Sequence, residues 1–89
     1  MTALQIGKKG LTGYRGDEMN AAALGMRIHE TRKKAGITSD KLAELSGVGP
    51  VHIRKIESGA KVPSIHLFVR ICNALHVSPE YLLQDSLED

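Results

Sequence analysis

The stretch from Thr38 to Glu57 leaves this chain little choice of fold. Two short apolar-patterned segments, Leu42-Ala43-Glu44-Leu45 and Ile53-Arg54-Lys55-Ile56, flank the corner Gly47-Val48-Gly49-Pro50. Thr38 is a residue type whose side-chain oxygen satisfies free N–H groups at a helix start, and Leu42, Ala43 and Leu45 are expected to give that helix its apolar side. Gly47 can take the positive φ that ends it. A proline in the first helical position has no N–H to leave unsatisfied, so Pro50 opens the next helix rather than breaking it. Ile53 and Ile56 then face inward, and Ser58-Gly59 closes that helix. Ala43 has to be small because the second helix crosses close to it, while Leu42, Val48, Ile53 and Ile56 supply the apolar wedge between the two. The expected unit is a pair of short helices locked at a steep angle.

The segments around this pair are also helical in pattern. Leu24, Ile28 and Thr31/Arg32 recur at three- and four-residue spacing and Gly36 follows, predicting a first helix over about Ala22 to Ala35. Pro63-Ser64 starts a fourth helix carrying Ile65, Phe68, Ile71, Cys72 and Leu75. Ser78-Pro79-Glu80 combines a cap, a proline and an acid ahead of Tyr81, Leu82 and Leu83, and predicts a fifth. No segment alternates with the period of a half-buried strand. The fold class is therefore all-α, a compact five-helix bundle.

With 89 residues there is room for one domain. Residues 1–20 are glycine-rich without a hydrophobic period and read as a flexible arm, with Met19 as an alternative start. Residues 21–84 form the helical domain, and 85–89 an acidic tail. The arm has no hydrophobic signal core and no apolar stretch is long enough to span a bilayer, so a cytoplasmic location and no membrane contact are expected. A single cysteine, Cys72, excludes an internal disulfide and suits a reducing compartment.

The modest net charge of +2 hides an uneven distribution. Ala21 to Gly59 holds seven Lys and Arg against four Asp and Glu, whereas Ala60 to Asp89 holds two against four. A basic centre with an acidic end fits a phosphate-facing surface, or an ordinary solvated one. A locked helix pair of this kind can lay one helix across a nucleic-acid backbone and place the other in the major groove.

Three motifs carry a family resemblance: Leu42-Ala43-Glu44-Leu45-Ser46-Gly47-Val48, Ile53-Arg54-Lys55-Ile56-Glu57-Ser58-Gly59 and Lys61-Val62-Pro63-Ser64. On these, Leu24 to Leu83 resembles the phage-repressor/Cro type (xenobiotic-response-element) helix-turn-helix domain. The resemblance implies a lambda-repressor-like five-helix bundle that acts as a homodimer on palindromic double-stranded DNA. It also implies a buried ion pair between Arg32 and Glu57, architectural in role. The base-reading positions it implies are Pro50, Val51, His52, Arg54 and Lys55.

Pro50 and Val51 depart from the polar residues usual at those two positions, and neither side chain can hydrogen-bond a base. Val51 can still meet a thymine methyl, and Arg54 or Lys55 can read guanine N7 and O6. His52 can meet a base edge or a phosphate. The working division gives Lys55 and Val51 to the bases and Arg54 to the backbone. Phosphate contacts are expected from Thr38, Ser39, Lys41 and Lys61. Ser39 stands where the family commonly has a longer glutamine, and Lys41 also reads as a plain surface lysine. The arm's Lys8, Lys9 and Arg15 either wrap the duplex or have no role. The dimer surface is expected around Tyr81, Leu82 and Leu83, residues that alternatively close the core.

Other chemistries find little support. His29, His52, His66, His76 and Cys72 include one pair spaced by four, Cys72 and His76, but no second pair completes a metal site. There is no nucleophile motif, no phosphate-cradling glycine loop with its lysine and no paired carboxylates, so neither an enzyme nor a cofactor is expected. The leading reading is a homodimeric transcriptional regulator, a repressor for a mobile-element, prophage or restriction-modification type operon. The alternatives are an antitoxin whose main partner is a toxin protein, and a domain that kept the fold but lost DNA binding.

Overall fold

The computed structural model describes residues 20–86. Within them the chain is all-α: α1 (Ala21–Ala35), α2 (Ser39–Ser46), α3 (Pro50–Glu57), α4 (Ile65–Leu75) and α5 (Pro79–Leu83). There is no strand among the described residues. No helix among them is long and apolar enough to cross a membrane. The first helix begins one residue before its expected start, because Asn20 caps it: Ala23 N–H donates to Asn20 Oδ1 at 2.9 Å.

Local chemistry sets most of the boundaries. Thr38, Ser64 and Ser78 each turn a side-chain oxygen onto a backbone N–H in the first turn of α2, α4 and α5, at 3.0, 3.2 and 3.1 Å. Pro50 and Pro79 occupy the first positions of α3 and α5. Gly47 ends α2 at φ 76°, and its N–H reaches the Glu44 carbonyl at 3.2 Å. At the end of α4 the same left-handed turn falls on His76, at φ 58°, where a Cβ makes that conformation costly.

The core is one cluster drawn from all five helices: Leu24 and Ile28, Leu42 and Ala43, Ile53 and Ile56, Leu67, Phe68, Ile71, Cys72 and Leu75, and Leu82. Removing each of the larger aliphatic side chains from water contributes about 1.5–3 kcal/mol. Two expected core residues lie outside. Leu45 is half exposed, because the buried face of α2 runs through Leu42, Ala43 and Ser46, and the middle of that face lies more than a quarter-turn from Leu45. Ile65 is 74% exposed at the first position of α4, and Leu67 takes the inward place instead.

Asp85, placed in the acidic tail, pairs with Arg27 of α1 at 2.9 Å. Ser86 Oγ donates to the Asn20 carbonyl at 3.1 Å. These contacts link α1 and its capping residue to the segment after α5. The arm's Lys8, Lys9 and Arg15 fall outside the described residues, as do positions 87–89 of the tail.

Candidate nucleic-acid interface

Helix α3 has two faces with different work. Ile53 and Ile56 point into the core and have essentially no accessible surface. Pro50, Val51, Arg54 and Lys55 are exposed, and His52 is half-buried. Val51, in the first turn, shows 56% of its surface to solvent. The helix thus presents a short apolar and basic strip, with Arg54 and Lys55 in its last turn.

Two devices hold that strip in place. The first is the turn with α2: Val48 N–H donates to the Ala43 carbonyl at 3.0 Å, and Val48 packs half-buried against the core. Ala43 itself is buried, so the close crossing that needs a small residue is present. The second device ties the far end of α3 to α1. Arg32 Nε donates to Glu57 Oε2 at 2.7 Å and its Nη2 to Oε1 at 3.1 Å, a two-pronged ion pair. The remaining terminal nitrogen, Nη1, donates to the Ile37 carbonyl at 2.9 Å. Both side chains are about nine-tenths buried. In an ion pair buried this far, desolvation offsets much of the attraction.

His29 completes this cluster and had no role in the sequence reading. Its Nδ1 lies 2.9 Å from Glu57 Oε1 and 3.1 Å from Arg32 Nη2. A proton on Nδ1 makes it a donor to Glu57; without one it accepts from Arg32. Burial pushes the Glu57 carboxyl up, but the bonds from Arg32 and His29 outweigh it and hold the group below the usual carboxylate range.

Gly25 was missed as well. A Cβ there would sit 2.3 Å from the Ile56 carbonyl oxygen and 2.6 Å from that of Glu57. The C-terminal end of α3 therefore rests directly on the backbone of α1. The sequence signal was a lone glycine inside a helical pattern, which lowers helix propensity unless close approach requires it.

The positions expected to face phosphates differ in exposure and in partners. Thr38 is exposed, but its hydroxyl is engaged as the cap of α2, and Ser39 is half-buried. Lys41 pairs loosely with Glu44 at 3.6 Å. Arg54 Nη1 reaches back to Asp40 Oδ1 of α2 at 3.5 Å. Lys61 is exposed in the loop after α3. Among the described residues, Lys55 and Lys61 are in no ion pair.

Of the residues expected at a dimer surface, Leu82 has no accessible surface and packs in the core. Tyr81 and Leu83 are half-buried. The Tyr81 ring lies 4.9 Å from the Arg27 guanidinium, a cation–π contact that fastens α5 to α1. Among the described residues no group of three His, Cys, Asp or Glu side chains comes together.

Comparison with known proteins agrees with this geometry. The transcriptional regulator ImmR of Bacillus subtilis is 33% identical over 61 residues, 68% of this chain and 48% of ImmR. Repressor protein C2 of Salmonella phage P22 is 35% identical over 69 residues, 78% of this chain and 32% of the repressor. The chain thus spans about half of one relative and a third of the other. A crystal structure of the P22 c2 repressor in complex with a synthetic operator superposes with a TM-score of 0.64 at 34% identity, covering 66% of this chain and 89% of that one. The restriction-modification controller protein C.AhdI of Aeromonas hydrophila superposes with a TM-score of 0.68 at 27% identity, covering 70% of this chain and 94% of that one. These relatives are transcriptional regulators, repressors or controllers rather than enzymes. The family described as "Helix-turn-helix" matches residues 28–82, a span that takes in the α2–α3 pair, its Arg32–Glu57 tie and nearly all of the core, and the chain belongs to that family.

Proposed function

We propose that this chain is a sequence-specific DNA-binding transcriptional regulator that lays α3 in the major groove of duplex DNA. The observation that carries the reading is the division of α3. Its inner face is fixed by Ile53, Ile56 and the Arg32–Glu57 pair, while Val51, Arg54 and Lys55 are held outward on a rigid support. Exposing a valine and two cations beside each other is explained by a surface that meets thymine methyls, guanine edges and phosphates. Lys55 and Val51 read bases, His52 meets a base edge or a phosphate, and Arg54 faces the backbone. Pro50 contributes its fixed φ rather than a hydrogen bond. Thr38, Ser39, Lys41 and Lys61 line the flanking phosphates.

The chain acts as a homodimer whose second copy docks around Tyr81 and Leu83, with half-sites about 34 Å apart along the duplex. Its role is that of a repressor for a mobile-element, prophage or restriction-modification type operon. The similarity to the P22 repressor and to the C.AhdI controller supports that class. A competition between duplex and single-stranded DNA of the same sequence tests the reading. The duplex should win by at least an order of magnitude, because single strands offer no major groove. Equal affinity for both forms would refute groove insertion of α3.

A further inference from the structure

Asp40 has no obvious place in a surface that approaches DNA. It lies in the first turn of α2, beside Thr38 and Ser39, where a phosphate is expected and a carboxylate repels one. The structure gives it one partner, Arg54 Nη1 of α3 at 3.5 Å. At 3.5 Å the contact is an ion pair of loose geometry, and both side chains are more than half exposed. Arg54 has five N–H groups, and this pair engages a single nitrogen, so the guanidinium can meet a second anion while Asp40 holds it.

We propose that Asp40 is a positioning residue that sets the balance between sequence-specific and indiscriminate DNA binding, acting through Arg54. The inference rests on the DNA-binding reading. Paired with Asp40, Arg54 keeps its orientation but brings no net charge to the duplex. It then adds little to the counterion-release term that drives binding to any sequence. Where α3 is seated in its preferred groove, the oriented guanidinium still finds a phosphate. On random DNA, where the seating differs, the pair stays closed and withholds a cation. Asp40 thus acts as a built-in repulsive element against the wrong partner.

The experiment is a double-mutant cycle on the full chain: wild type, Asp40→Asn, Arg54→Ala and the double variant, each titrated against a random-sequence duplex over a range of salt. Releasing Arg54 adds about one phosphate contact. This predicts a slope of log K against log salt steeper by about 0.9 and an affinity roughly five- to tenfold higher at 0.1 M salt for Asp40→Asn. In the Arg54→Ala background the same substitution should leave the slope unchanged, because the cation it would free is gone. Thermal melts of all four proteins confirm that the fold is retained. An equal rise in both backgrounds would show that Asp40 is only a negative charge near DNA and would overturn the inference alone, as would no rise in either. Failure of the wild-type chain to bind any duplex at the lowest salt would overturn the DNA-binding reading itself, and this inference with it.

Discussion

Gly25→Ala separates packing from propensity by the sign of its effect. In an exposed helix interior, replacing glycine by alanine raises stability by about 0.5–1 kcal/mol, since alanine loses less backbone freedom on folding. At Gly25 the new methyl would stand 2.3 Å from the Ile56 carbonyl oxygen, 2.6 Å from that of Glu57 and 2.9 Å from the Glu57 carbonyl carbon. Ordinary contact begins at 3.4 Å, so the end of α3 has to withdraw from α1 by about 1 Å. All three atoms are backbone, and no flexible side chain can absorb the change. Overpacking of this kind costs about 1–3 kcal/mol. The same movement stretches the Arg32–Glu57 pair, whose bonds of 2.7 and 3.1 Å have little slack. In a domain of this size each kcal/mol corresponds to roughly 4–8 °C in Tm. A thermal melt followed by circular dichroism should therefore show the variant melting roughly 5–20 °C below wild type. A melting temperature equal to or above wild type would refute the claim that α3 is seated on the α1 backbone.

Four further substitutions have expected outcomes. Glu57→Gln should destabilise the fold by about 3 kcal/mol near neutral pH, because Arg32 stays buried without its counter-charge. The Glu57 carboxyl titrates lower when folded than when unfolded, so its contribution is complete above the unfolded value and is lost as pH falls through the folded one. Denaturant melts should show the gap between variant and wild type narrowing on acidification, and a gap constant down to about pH 3 contradicts the pairing. Ser46 is fully buried and its hydroxyl has no hydrogen-bond partner, so Ser46→Ala should gain about 1 kcal/mol; a loss of stability would mean that the hydroxyl is satisfied in solution. Lys55→Ala should cost about 1–3 kcal/mol of discrimination at one base pair, whereas Lys61→Ala should weaken all sequences alike and flatten the salt slope by about 1. Equal losses for Lys55→Ala on preferred and random DNA would remove it from base reading.

What the sequence makes legible here is what local chemistry decides. Thr38, Gly47, Pro50, Ser64 and Ser78 act within one turn of themselves, and the helix ends fall where those residues require. Periodicity finds the inward Ile53 and Ile56 for the same reason. It fails where two apolar residues compete for one face. Leu45 and Ile65 have the right composition, yet the angle at which α2 and α4 lie on the bundle turns both to solvent. The features that were not legible depend on long-range approach. Nothing within α1 announces that Gly25 will meet the carbonyls of α3, that His29 will stand between Arg32 and Glu57, or that Arg27 will gather Tyr81 and Asp85. The candidate site lies between these cases. Its residues were named from motif position, but the pairing of Arg54 with Asp40 needed the tertiary placement of α2 against α3.

Selection from a random duplex DNA library by the intact chain, followed by sequencing of the retained pool, tests the central claim most directly. The account predicts an enriched inverted repeat with half-site centres about 34 Å apart, one helical turn, and enrichment that shifts at one base pair per half-site in Lys55→Ala. Retention of DNA with no enriched repeat would contradict it, leaving the exposed face of α3 without the sequence-reading role assigned to it.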